Sequence, residues 1–107
     1  VDSSDICVDD MKSVFYNRLT DTDTVAKKDW NSFEYMRRKD DLYEYGIWVL
    51  YNSSPCTPGN GSCIFLHVWE NEHTPTAGCT AMSRENMLKL ISFLDAGRNP
   101  VLLQVVD

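Results

Sequence analysis

Two side chains able to do covalent chemistry stand close together in the second half of the chain. His67 is followed twelve residues later by Cys79, and Gly78 comes directly before the cysteine. A thiol attacks as the thiolate, and an imidazole within reach can take its proton and hold the pair as thiolate and imidazolium. Glycine ahead of a nucleophile lets a substrate approach the backbone and leaves amides to face a developing oxyanion. The chemistry this arrangement serves is acyl transfer. The same two residues also fit a structural role, with a histidine hydrogen-bonded in the core and a cysteine filling space. The spacing places no Asp or Glu as the third member of a triad, and His73, in a polar loop, reads as a solvated surface residue. The cysteines do not read as a metal site either. Cys56 and Cys63, the closest pair, have six residues between them, which is too many for a paired zinc spacing. Neither a metal nor a cofactor is expected.

Two strands and a helix would have to position these residues. Ile47 to Tyr51 and Cys63 to Trp69 are continuous β-branched and aromatic runs, the pattern of buried strands, and the second carries His67. Between them, Asn52 to Ser62 is rich in Pro, Gly, Asn and Ser and reads as a loop. After a polar loop from Glu70 to Pro75 comes Thr76 to Met82, which holds Cys79. Ser83 is a good N-cap for a helix over Arg84 to Leu94, with Glu85 in its first turn and Met87, Leu88, Ile91 and Leu94 on one face. Gly97 and Pro100 supply its stop. Val101 to Val106 reads as a last apolar strand. Earlier in the chain, Val14, Phe15, Tyr16 and Leu19 predict a short helical turn or two capped by Asp10. Trp30, Phe33 and Met36 predict a short helix around 30–38. The layout implies a mixed fold, mainly β with packed helices (α+β).

Composition narrows the partners. The 107 residues carry sixteen Asp and Glu against ten Lys and Arg, a formal charge of −6. Phosphate backbones are bound by basic surfaces, so nucleic acid is a poor fit. No apolar run approaches the roughly 18 to 20 residues that span a bilayer. The chain opens Val1-Asp2-Ser3, with neither an initiator Met nor a leader, as expected of a processed product or a piece of something longer. With Cys79 as a working thiol, Cys7, Cys56 and Cys63 remain, enough for one bridge and one odd thiol. Cys56 and Cys63 flank a Thr57 to Ser62 turn and could close a small loop; free buried thiols fit as well.

Gly61 to Trp69, followed by Pro75-Thr76-Ala77-Gly78-Cys79-Thr80-Ala81-Met82, resembles the core of L,D-transpeptidase catalytic domains of the YkuD type, and more narrowly their Gram-negative exported branch. Cys7 to Asp10, Tyr16-Asn17, Trp30, Tyr43, Gly46 to Asn52, Leu94-Asp95 and Pro100 to Gln104 continue the resemblance co-linearly over essentially the whole chain. It implies a β-sandwich catalytic domain acting on peptidoglycan stem peptides in the periplasm or after export. Cys79 would attack the carbonyl of the diamino acid at position three and expel the terminal D-alanine. His67 would serve as base and then acid, and the amides of Gly78 and Cys79 would hold the oxyanion. Family members commonly orient the imidazole with a backbone carbonyl, which would explain the missing acid. Thr76 occupies the motif's Ser/Thr position and is expected to support the loop and to contribute to substrate binding.

The match departs from the usual motif in three places. Only eight residues separate His67 from Thr76, Ala77 stands where a second histidine is usual, and Ala81 replaces a polar residue. Arg84 is a candidate for a substrate carboxylate, weighed against a plain surface arginine. Family domains usually carry more strand sequence ahead of this region, so residues 1–107 are expected to be a smaller single domain or the C-terminal part of one, lacking its N-terminal strands. Two other functions compete: a catalytically silent module that binds wall peptides or a protein in the same cleft, and an unrelated cysteine peptidase.

Overall fold

The computed structural model describes residues 1–106 and arranges them as two three-stranded sheets and one α-helix. The first sheet is built on β1 (Asp5–Val8), flanked by β2 (Arg18–Asp21) and β3 (Phe33–Tyr35), both antiparallel to it. As the central strand β1 is covered on both faces, and Ile6, Cys7 and Val8 are buried. The second sheet centres on β5 (Phe65–Val68), antiparallel to β4 (Gly46–Trp48) and parallel to β6 (Thr80–Met82). α1 (Arg84–Phe93) packs on β5 through Met87, its one fully buried residue. The mixed, mainly β expectation holds at this level.

The helix expected at 30–38 is strand β3. A spacing of three at Trp30, Phe33 and Met36 suggests a helical face, but a helix this short is marginal alone. Phe33 and Tyr35, two apart, instead meet edge to face at 5.0 Å, as same-side neighbours on a strand do. The approach to β3 is stitched to the end of β1: the Asn31 amide donates to Asp10 Oδ2 (2.8 Å) and the Ser32 hydroxyl to Asp9 Oδ1 (2.5 Å). That leaves the open edge of β1 to pair with residues 33–35. Trp30 turns away to pack edge-on against Phe15 at 5.3 Å.

Residues 11–17 form turns rather than a helix. Asp10 does accept from the chain ahead of it, through the Lys12 amide at 3.0 Å, but the segment ends at Asn17 in the left-handed region (φ 59°) and Leu19 passes into β2. Asn17 is buried and acts as a hub. Its side-chain amide donates to the carbonyls of Tyr51 (2.9 Å) and Asn52 (2.8 Å), and its Oδ1 accepts from the Cys63 amide (2.9 Å). Asn17→Ala leaves that buried amide unpaired and sets a less suitable residue in the left-handed region. The expected loss is about 2 kcal/mol or more, read as a lower chemical-denaturation midpoint; an unchanged midpoint would remove Asn17 from this role.

The loop at 52–62 is present as expected, and Asn52 closes it without a disulfide. Asn52 Nδ2 donates to the carbonyls of Thr57 (2.8 Å) and Gly61 (2.9 Å), while Oδ1 accepts from the Thr57 amide (2.9 Å). Cys56 is free and exposed. The bridge is Cys7–Cys63, which ties central strand β1 of one sheet to the residues leading into β5 of the other, across a sequence separation of 56. The run expected as a strand from Cys63 begins its ladder only at Phe65, because Cys63 sits in the left-handed region (φ 57°).

The helix is the element that follows expectation most closely: the Ser83 hydroxyl accepts from the Asn86 amide at 3.2 Å, and Asn99 (φ 48°) rather than Gly97 takes the left-handed position beyond it. Its apolar face is only partly covered, with Leu88 and Ile91 still 37% and 39% exposed. Residues 101–106 form no strand. They are exposed, and their one polar tie to the sheet runs from the Gln104 side chain to the Thr80 hydroxyl. Strand propensity in Val and Leu reflects packing and pairing, and among the described residues this segment has no ladder partner.

Candidate active site

β5 carries His67 into the sheet, where the side chain is 6% exposed. Its Nδ1 lies 2.7 Å from the carbonyl of Val68. A carbonyl oxygen only accepts, so Nδ1 bears the proton and the neutral ring keeps its lone pair on Nε2, the form a general base requires. Tyr43 packs edge-on against the ring at 4.9 Å and against Phe65 at 4.8 Å, and Phe65 itself lies 5.6 Å from His67. Aromatic packing on two sides and one carbonyl thus fix the ring's orientation without a carboxylate.

The register of β5 and β6 sets His67 beside Ala81, two residues past Cys79. Alternation along extended chain sends the side chains of Cys79 and Ala81 the same way, and Cys79 and His67 line one cleft. No hydrogen bond joins them. The Cys79 thiol donates instead to the carbonyl of Cys63 at 3.4 Å. Burial pushes this thiol's pKa up, the Phe65 amide opposes that by favouring the thiolate, and the charge of Glu34 pushes it up further. These influences together favour the protonated thiol over the thiolate. Thr76 shapes its loop: the Thr76 hydroxyl donates to the Cys79 carbonyl (2.5 Å) and accepts from the Gly78 amide (3.4 Å). A Cβ on Gly78 would meet only Ile64 Cδ1, at an ordinary 3.5 Å, so it is the backbone conformation, φ 157°, and not the packing that favours glycine there.

This electrostatic picture has a direct readout. In a Cys56→Ser background, alkylation of Cys79 by iodoacetamide should rise with pH to a midpoint above that of a free thiol. Burial and Glu34 both disfavour the anion, so Glu34→Gln should move the midpoint down. A midpoint below the free-thiol value would contradict the account.

Arg84 is not brought to the cleft. Its guanidinium forms a two-point pair with Glu44 (3.1 and 3.2 Å), meets the Tyr45 hydroxyl at 3.2 Å and lies over that ring. It behaves as the surface arginine that was the alternative. The cleft's other wall comes from a stretch that spacing did not single out: Glu34 on β3, then Arg38, Asp40, Leu42 and Tyr43. Arg38 grips Asp40 through Nε (2.9 and 3.1 Å) and through Nη2, and lies 4.9 Å over the Tyr43 ring. The ion pair holds the Asp40 carboxyl at about 2. The Leu42 carbonyl accepts from the Val68 amide at 3.1 Å and so pins this wall to β5. An Arg and an Asp two apart do not face each other on a helix, and this was the available hint that 38–40 turns.

Among the described residues no group of three His, Cys, Asp or Glu is placed to hold a metal ion, and no helix is long and apolar enough to cross a membrane. No curated protein and no solved structure matches the chain. The family model of the L,D-transpeptidase catalytic domain, YkuD, matches residues 11–103, which include both walls of the cleft, His67 and Cys79. This chain belongs to the YkuD family of L,D-transpeptidase catalytic domains.

Proposed function

We propose that the chain is a cysteine acyltransferase of peptidoglycan stem peptides, with Cys79 and His67 as its catalytic pair. The observation that carries this reading is the His67 ring, fixed by Val68 with Nε2 basic, in the cleft that Cys79 lines. His67 Nε2 takes the thiol proton as Sγ attacks the carbonyl of the diamino acid at position three. The amides of Gly78 and Cys79 meet the oxyanion. Collapse of the tetrahedral adduct breaks the bond to the terminal D-alanine, whose amine leaves with the proton from His67, and a thioester remains on Cys79. An acceptor amine resolves the thioester to a cross-link, and water resolves it to a shortened stem. The raised thiol pKa suits this sequence, because the proton moves during attack rather than before it.

The buried Cys7–Cys63 bridge supports an oxidising, exported location such as the periplasm. The two sheets would be the layers of the family's β-sandwich. A second reading, a silent module that holds wall peptides, draws on the thiol's hydrogen bond to Cys63 instead of His67. Incubation with purified tetrapeptide stems separates the two. Release of D-alanine by the wild type supports the enzyme, and binding without any release supports the module.

A further inference from the structure

We propose that Glu34 is the cation subsite of the cleft and takes the side-chain ammonium of the diamino acid whose carbonyl faces Cys79. This deepens the peptide reading above and rests on it. Glu34 sits in the middle of β3, opposite Cys7 on β1. Cys7 is bridged to Cys63, and the Cys63 carbonyl receives the Cys79 thiol. One pairing, one disulfide and one hydrogen bond therefore hold the carboxylate and the nucleophile on facing walls of the same cleft.

Glu34 is half-buried, and among the described residues its carboxylate makes no hydrogen bond or ion pair; Arg38 gives it only a through-space attraction, weaker than the opposing effects of burial and Asp9. The guanidinium that lines the cleft, Arg38, is occupied by Asp40 and Tyr43. A partly desolvated charge without a partner is costly, and a ligand ammonium would supply the missing one. Burial and the charge of Asp9 raise this carboxyl's proton affinity, and an adjacent ammonium would reverse that shift. The cleft's balance points the same way. Glu34, Asp40 and Glu70 line it against Arg38 alone, so it favours a cationic group over a carboxylate. A diamino acid offers such a group a few bonds from the carbonyl to be attacked.

The test measures binding in a Cys79→Ala background, so that it needs no turnover. Two tetrapeptide stems are compared, one with the side-chain amine free and one with it acetylated. The free amine should bind about tenfold more tightly, the scale of one charge-assisted hydrogen bond. Adding Glu34→Gln should erase the preference by weakening only the free-amine peptide, whereas Glu34→Asp, which keeps the charge, should retain part of it. A preference that survives Glu34→Gln overturns the proposal, as does an equal loss for both peptides, the mark of a merely structural role. Absence of binding by either peptide also overturns it. A Glu34-dependent preference in a protein that releases no D-alanine would uphold the subsite while rejecting the enzyme reading.

Discussion

Replacing Cys79 by Ala is expected to remove D-alanine release down to the level of peptide alone, and His67→Gln is expected to lower it about 10²- to 10⁴-fold. The two losses differ in kind. Without Sγ no thioester forms, and no other thiol lines the cleft, since Cys56 is exposed on the 52–62 loop and Cys7 and Cys63 are bonded to each other. Without the imidazole the nucleophile remains, but as a thiol whose proton burial retains. His67→Gln should therefore recover part of its rate at high pH, where hydroxide does what Nε2 no longer can. Cys79→Ala should recover nothing at any pH. A His67→Gln variant as active as the wild type would return the histidine to a core role, in line with its burial and its hydrogen bond to Val68.

Breaking the Cys7–Cys63 bridge is expected to be the largest single blow to stability. A loop of this size, 56 positions apart, gains about 4 kcal/mol from cross-linking on the chain-entropy account. A domain this small holds about 5–15 kcal/mol in all. Cys7 and Cys63 are fully or nearly fully buried in the core, so the reduced thiols would also have to be accommodated where a bond now fits. Cys7→Ser, or reduction of the wild type, should lower the denaturation midpoint sharply. It should also cost activity below that midpoint, because the bridge fixes the carbonyl that receives the Cys79 thiol and the strand that carries Glu34. An unchanged midpoint would show that the two sheets are held by packing alone.

Much of the wall that carries His67 and Cys79 is legible in the residues because its signals are local. A β-branched run around His67, Gly78 before Cys79, and a serine cap ahead of an amphipathic stretch each act over a few neighbours, and each appears where expected. The opposite wall depends on partners far along the chain. Phe33 to Tyr35 is a strand because β1 offers an edge, and Glu34 is held near the cleft because Cys63 pairs with distant Cys7 rather than with nearby Cys56. No spacing within 30–43 contains that information. Residues 101–106 show the reverse case: their composition suits a strand, and composition alone does not supply the neighbour a strand requires.

The most direct measurement is the intact mass of the protein during incubation with a tetrapeptide stem, followed by peptide mapping. The account predicts an added mass equal to the stem without its terminal D-alanine, mapped to Cys79 and absent from Cys79→Ala. Consumption of the stem with no adduct on Cys79 under rapid quenching, or with the adduct on Cys56, would contradict it.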